Sequence, residues 1–336
     1  MYSLVILGTN DDPHVERVAA YVSMIEGAEV VVLDYNNGTK FSVQIDAKGG
    51  RTFRVNGVVL SNYIVWDRRK LIPGTDFYIK GDEEHSGYAA QEWRSFYTLV
   101  CGFAADNAFN SLASRACLIK PFQQSIASQV GMLTPPTLVT NDKADSLAFQ
   151  ASQGSLILKS VSGAKVQTAS EGEYIPFNIM TMRVDPSDLL NADDQEVGYC
   201  PHFFQKEIVK DYELRVVYID GEIWSFKIES QCYRTTEVDW RKAMDAVQFT
   251  RFDMNDDMSH KIARFMGVMR LTFGSLDLII DRTGECWFLE CNQDGAWGWL
   301  DDIVEGAIAR SFANAFLRRM SSGSSVCKTD GLGLRA

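Results

Sequence analysis

Glu290 and Asn292 stand two residues apart in Cys286-Trp-Phe-Leu-Glu-Cys-Asn292, a segment otherwise made of residues that strands bury. Alternate residues of a strand share a face, so Phe288, Glu290 and Asn292 are expected together. SLDLII (275–280) and CWFLECN (286–292) flank the turn-rich Asp281-Arg-Thr-Gly-Glu285, which predicts an antiparallel hairpin. With Ile280 opposite Trp287, Asp277 falls opposite Glu290, their Cβ atoms ~5 Å apart. Two carboxylates that close stay ionised together only with a cation between them. Hard oxygen donors of this kind suit Mg²⁺, which takes few protein ligands and completes its shell with phosphate and water. Asn292 offers a neutral third oxygen. The competing reading is structural, with Asp277 at a strand end and Glu290 paired to an arginine.

A second hairpin is written in HFFQKEIVKDYELRVVYIDGEIWSFKIESQ (202–231), where Asp220-Gly221 marks a type I′ turn. Glu213, Arg215 and Val217 share one face of its first strand, while Lys227 falls opposite Leu214 on the other. A glutamate and an arginine alternating in an apolar strand are also explained by neutralising each other.

The elements that must carry these residues fall into three regions, of α/β and α+β character. Residues 1–110 read as an N-terminal α/β domain: a strand at 3–8, a helix over 12–26, the strand AEVVVLDY, a hairpin around Lys48-Gly-Gly50, the strand YIVWDRR, and a helix from Glu83 to Asn107. Residues 111–200 form a central lobe, with a helix in SRACLIKPFQQSIASQVGM ended by Thr134-Pro-Pro-Thr137, because consecutive prolines cannot continue it. Residues 201–320 form a third lobe of hairpin, helix, hairpin and helix, and the polar, glycine-rich 321–336 is expected to be a disordered tail.

Composition narrows the function. A chain of 336 residues, 46% hydrophobic and 23% charged, suits two or three globular lobes, and no apolar run approaches the ~18 residues of a membrane span. The N-terminus lacks the basic start and cleavage site of a signal peptide, so a cytoplasmic protein without membrane partners is expected. Seven cysteines without a CxxC pair read as reduced, mostly buried thiols. The formal charge of −11 repels phosphate backbones and argues against nucleic acid; an anionic ligand must meet a local cluster of Lys and Arg.

Lys159 ends LILK before the small-residue loop SVSGAK, FQKEI precedes ELRV, and a distal D…FLECN hairpin follows; in this order the set resembles the ATP-grasp ligases over nearly the whole chain, from Ser3 to about Arg319. The resemblance implies a three-lobed architecture with ATP held between the central and C-terminal lobes. It implies that Lys120 and Lys159 reach the ATP phosphates, that the backbone of Gln205, Lys206, Glu207 and Ile208 meets the adenine, and that Glu213 contacts the ribose. Arg215 falls where the family has an arginine near an acyl phosphate, and Asp277, Glu290 and Asn292 match its Mg²⁺ ligands. VWDRR (65–69), KPFQQSIASQVGMLTPPTLVTND (120–142), Asp239-Trp-Arg241 and FLECNQDGAWGWL further resemble the microviridin-type, or graspetide, subgroup. Those ligases activate Asp or Glu side chains of a ribosomal precursor peptide, leader plus core, for attack by Ser/Thr hydroxyls or a Lys amine, and the resemblance implies a homodimer. This chain departs from the subgroup in having Asn292-Gln-Asp-Gly295 for the usual Asn-Pro-Asn-Gly, and Asp67 in place of a tyrosine.

The chemistry fits the residues. Phosphoryl transfer to a carboxylate needs positioning and charge stabilisation, not a Ser, Cys or His nucleophile, and the four histidines form no cluster in the sequence. Arg215 has the bidentate geometry for developing phosphate charge, and Arg241 is a candidate contact for the substrate's acidic side chain, or else a surface partner of Asp239. Trp297 and Trp299 border the acceptor site or pack in the core. Two rivals stay open: a ligase that adds an amino acid to a carboxylate, and a non-catalytic nucleotide-binding interaction protein.

Overall fold

The computed structural model describes residues 1–34, 38–68, 83–115, 119–161, 165–170, 173–178, 181–233 and 236–323. The elements run β1 (Tyr2–Leu7), α1 (Pro13–Val22), β2 (Ala28–Leu33), β3 (Phe41–Ile45), β4 (Arg51–Val55), β5 (Val58–Val59), β6 (Tyr63–Asp67), α2 (Glu83–Ala104), β7 (Ala108–Phe109) and α3 (Leu112–Arg115). Next come α4 (Lys120–Gln129), β8 (Thr137–Thr140), α5 (Lys143–Gln153), β9 (Leu156–Lys159), β10 (Lys165–Ser170), β11 (Glu173–Asn178), β12 (Met182–Val184), α6 (Pro186–Asn191) and α7 (Asp194–Gly198). The remainder is β13 (His202–Lys206), β14 (Lys210–Ile219), β15 (Glu222–Ile228), β16 (Phe249–Phe252), α8 (Asp256–Val268), β17 (Phe273–Asp281), β18 (Cys286–Asn292), α9 (Gly298–Ile303) and α10 (Ala307–Gly323). They group into two compact units, one of residues 1–70, 91–112 and 304–336, the other of 71–90 and 113–303.

The first unit is built on a sheet of order β2-β1-β6-β7, parallel throughout. Strands covered on both faces need continuous apolar runs, and Leu4 to Leu7 are fully buried accordingly. Asp12 caps α1 by accepting from the His14 backbone N–H at 2.9 Å, with Pro13 in the first turn where its missing N–H costs nothing. The same carboxylate takes Arg68 Nε at 2.9 Å and His14 Nδ1 at 2.7 Å. Burial opposes its charge, but those partners outweigh burial and hold it well below the usual carboxylate range. Helix α10 packs on α1, and its Phe312 lies 5.0 Å from Trp66 and 5.9 Å from Phe109 between ring centres. The expected hairpin around Lys48 is β3–β4, its turn held by the Asp46 carboxylate accepting from the N–H groups of Lys48 and Gly50.

Among the described residues the second unit holds three antiparallel sheets, of order β12-β9-β13-β8, β16-β15-β14-β17-β18 and the pair β10-β11. Helices α4 and α8 cover one face of the larger sheet, where Leu214, Val216, Leu276, Leu278 and Phe288 pack against Ile262 and Phe265. Its other face carries Glu213, Arg215, Asp277 and Glu290. The β14–β15 turn has Asp220 at φ 47° and Gly221 at φ 99°, the pair of positive φ values a type I′ turn requires, and Leu214 faces Lys227 as the pattern predicts.

Three expectations are revised. The single helix over SRACLIKPFQQSIASQVGM does not form: α4 starts at Lys120, because Pro121 fits only a first turn, and residues 116–118 lie outside the described residues. Of the expected tail, 321–323 continue α10, and 324–336 lie outside the described residues. The thiols are not mostly buried: among the described cysteines Cys101 and Cys291 are buried, Cys286 is half-buried, and Cys200 and Cys232 are exposed. No helix among the described residues is long and apolar enough to cross a membrane.

Candidate functional site

Asp277 and Glu290 are register partners on neighbouring strands, and both line one cleft of about 680 Å³, open to solvent. The route to that pairing differs from the expected one. At the turn Ile280 faces Cys286 and Ile279 faces Trp287, one residue tighter than predicted. A bulge then shifts the register between Asp277 and Leu278, leaving Leu289 without a partner and setting Glu290 beside Asp277. It also separates residues expected together. Phe288 turns to the covered face, 4.9 Å from the Phe265 ring, while Glu290 turns to the cleft.

Each carboxylate has a cationic partner. Lys120 Nζ lies 2.9 Å from Glu290 Oε2, and Arg241 NH1 lies 3.9 Å from Oε1. Burial disfavours charge on Glu290, yet Lys120, Lys159 and Arg241 around it outweigh burial and hold its carboxyl below the usual range. Asp277 Oδ1 accepts from Arg215 NH1 at 2.7 Å. Arg215 also donates from NH2 to the Ala296 carbonyl at 3.2 Å, and its buried Nε has no hydrogen-bond partner. It lies on the same sheet face but is not part of the cleft lining. The expected neutralisation of Glu213 by Arg215 is therefore not what forms.

Glu213 takes Lys210 instead, at 2.6 Å, with both side chains 7% exposed. A register shift in β14 between Lys210 and Tyr212 makes the pairing possible. Burial pushes the Glu213 pKa up, and Lys210 opposes the rise. Lys210 lines the cleft but was not singled out from sequence; its signal was a carboxylate in an apolar strand needing a cation three residues away.

The far wall of the cleft is β9 with the strand end Gln205, Lys206, Glu207 and Ile208. A chain of oriented bonds runs through it. Lys159 Nζ donates to Gln205 Oε1 at 2.8 Å, Gln205 Nε2 to Thr137 Oγ1 at 3.3 Å, and Thr137 Oγ1 to Gln124 Oε1 at 2.9 Å. Burial lowers the Lys159 pKa to about 8; Glu290 draws it back up, while Lys120 and Arg241 push it down. Residues 162–164, within the small-residue loop after Lys159, lie outside the described residues.

Arg241 and Asp239 make more than a surface pair. Asp239 is 3% exposed and grips Arg241 through Nε at 2.8 Å and NH2 at 2.9 Å, leaving NH1 turned to Glu290. Trp297 is buried and Trp299 lies 6.1 Å from both Trp240, tilted, and Phe249, edge-on, between ring centres, so both pack. Asn292 is the sequence candidate set apart: it faces Ser275 at the end of β18, its Oδ1 accepts from the Asp294 N–H at 3.0 Å, and it is not among the cleft-lining residues.

The donor set suits Mg²⁺ carried by a polyphosphate. Among the carboxylates lining the cleft, Asp277 and Glu290 are the register pair, with Lys120 and Arg241 beside Glu290, and among the described residues no cluster of three or more His, Cys, Asp or Glu gathers to enclose a metal by itself. Mg²⁺ bound through one or two carboxylates plus phosphate oxygens needs no more than this. Ile157, Ile279, Pro135 and Val238 give the cleft apolar walls.

No protein-family model and no curated protein matches this chain. Solved structures do. A RiPP-associated ATP-grasp ligase of Chryseobacterium gregarium, in complex with ADP and a leader and core peptide, aligns at TM-score 0.83 and 24% identity, covering 95% of this chain and 97% of that one. The macrocyclase MdnC of Microcystis aeruginosa MRC, bound with precursor peptide MdnA, aligns at 0.75 and 21%, covering 95% and 100%. The ATP-grasp ligase PsnB, complexed with a phosphomimetic variant of its minimal precursor, Mg and ADP, aligns at 0.73 and 19%, covering 95% and 99%. The chain has the fold of the ATP-grasp ligases, as the resemblance implied.

Proposed function

We propose that this chain is an ATP- and Mg²⁺-dependent carboxylate ligase that closes ester or amide crosslinks within a ribosomal precursor peptide. The observation that carries the reading is Asp277 beside Glu290 at a cleft whose other walls hold Lys120, Lys159, Arg241 and the strand end 205–208. The likeness in fold to ligases bound to leader and core peptides supports it.

In this reading Lys120 and Lys159 neutralise the polyphosphate, and Gln205 aims the Lys159 ammonium. The strand end 205–208 meets the adenine, and Glu213, fixed by Lys210, meets the ribose. Asp277 and Glu290, with Asn292 as the third candidate ligand, would hold Mg²⁺, which when bound would supply charge screening between phosphates. Arg241, braced by Asp239, receives the peptide carboxylate. That carboxylate's oxygen attacks the γ-phosphorus of ATP, and the bond to the β-phosphate oxygen breaks to release ADP, giving an acyl phosphate; Arg215 balances charge behind Asp277. A Ser/Thr hydroxyl or Lys amine then attacks the acyl carbon, loses its proton, and phosphate leaves with the C–O bonding pair. A leader-plus-core peptide as partner, a homodimer and a cytoplasmic setting complete the reading.

The test is incubation with ATP, Mg²⁺ and Asp/Glu- and Ser/Thr-rich candidate peptides, followed by mass spectrometry. Successive losses of water with ADP release are expected. A gain of one amino-acid residue would instead select the amino-acid ligase, and tight ATP binding without ADP release on any carboxylate would select a binding protein.

A further inference from the structure

We propose that Gln123 is a positioning residue that pins β18 next to its cleft-facing Glu290, an inference that rests on reading Asp277 and Glu290 as Mg²⁺ ligands. β18 is the last strand of its sheet, so one side of its backbone has no neighbouring strand. A carboxamide carries the same donor and acceptor as a peptide group. Gln123 uses both: Nε2 donates to the Cys291 carbonyl at 2.9 Å, and Oε1 accepts from the Cys291 N–H at 2.8 Å. The side chain is 1% exposed and stands where the backbone of a further strand would be.

The place matters more than the bonds. Cys291 lies between Glu290 and Asn292, just beyond the bulge that turns Glu290 to the cleft. On the outer side of β18 the Leu133 carbonyl takes the Phe288 N–H at 2.8 Å ahead of the bulge; beyond the bulge, a one-residue slip would move each side chain to the opposite face. Gln123 blocks it by holding the backbone, while Lys120, three residues earlier on α4, holds the Glu290 side chain at 2.9 Å. The first turn of α4 thus fixes backbone and carboxylate of the same strand.

Gln123→Leu removes both bonds at similar size; Gln123→Glu keeps the acceptor and loses the donor. ADP affinity is measured by calorimetry for each variant in MgCl₂ and in EDTA, with hydrogen exchange over 286–293. The gain in ADP affinity on adding Mg²⁺ is expected to fall about tenfold in Gln123→Leu, the worth of one to two net hydrogen bonds, and less in Gln123→Glu. Affinity in EDTA stays unchanged, and exchange over 286–293 accelerates. Equal losses in MgCl₂ and EDTA, or unaltered exchange in a folded variant, would overturn the proposal. If wild-type ADP affinity ignores Mg²⁺, the ligase reading fails, and unchanged protection of 286–293 in Gln123→Leu still decides against the pin.

Discussion

Lys210→Met tests whether the buried ion pair behind the proposed ribose position is under electrostatic stress. Lys210 and Glu213 sit 2.6 Å apart at 7% exposure each, so removing the ammonium leaves a carboxylate in the interior with no cation beside it. Breaking a buried pair this way costs ~3–5 kcal/mol. Glu213 can escape by taking a proton, and burial already pushes its pKa up even with Lys210 present. The sign then follows. A carboxyl whose folded pKa lies above its unfolded value binds more protons when folded, so stability falls as pH rises between the two values. From an unfolded pKa near ~4.3, each pH unit costs ~1.36 kcal/mol, but wild type, whose Glu213 is also shifted up, shares the first part of that slope, so the deficit between variant and wild type at pH 7 is at most about 3.5 kcal/mol. For a cooperative unit of this size, at ~2–4 °C per kcal/mol, Lys210→Met should melt up to about 10 °C below wild type at pH 7 and close to it at pH 5. Thermal melts of Lys210→Met, Glu213→Gln and the double variant between pH 5 and 8 make the measurement. Since the double variant leaves no lone charge, it should recover most of the loss and its pH dependence. A deficit independent of pH, or a double variant as unstable as Lys210→Met, would refute the argument.

Three further outcomes are expected. Lys159 loses its proton above about pH 8 in the nucleotide-free protein; ATP affinity should therefore weaken by up to ~10-fold per pH unit above that point, and Lys159→Arg, charged throughout, should remove the inflection in a calorimetric pH series. A Cβ on Gly295 would collide with the Ser275 side chain and come within 2.8 Å of Arg215 NH2, so Gly295→Ala should cost ~1–3 kcal/mol, read as a lower melting temperature, and an unchanged melt would show that the 292–297 loop yields freely. Asp239→Asn weakens the grip on Arg241, and kcat/KM for the peptide should fall ~10–100-fold with ADP affinity intact; equal losses in both would mean that Asp239 only supports the fold.

What was legible in the sequence is what local chemistry dictates. Asp220-Gly221 specified its turn because few residues tolerate two positive φ values in a row, and the apolar alternation of 213–217 then fixed which residues share a face. Lys120, Lys159 and the 205–208 strand end are recognisable only as a set in order, since each alone is an ordinary residue. Lys210 and Gln123 escaped notice because their meaning lies in partners: one depends on a register shift in β14, the other on an edge 168 residues away.

The hairpin of Asp277 and Glu290 shows how such information is lost and regained. Strand periodicity treats every residue as one step, so it placed Phe288 and Glu290 on one face and could reach the carboxylate pair only by assuming a looser turn. The folded chain closes the turn one residue tighter, because the Asp281 carboxylate collects the N–H groups of Thr283 and Glu285 at 2.8 and 3.0 Å and Trp287 Nε1 at 2.9 Å. That tightening alone would set Leu289 opposite Asp277. The core decides otherwise: Phe288 is drawn onto Phe265, and its N–H is taken by the Leu133 carbonyl at 2.8 Å, outside the sheet. The surplus residue is absorbed as a bulge at Leu289, and Glu290 comes round to the cleft. A bulge is invisible to any rule of alternation, because its cause is the fit of one aromatic ring and the hydrogen bonding of one turn, neither of which has a period.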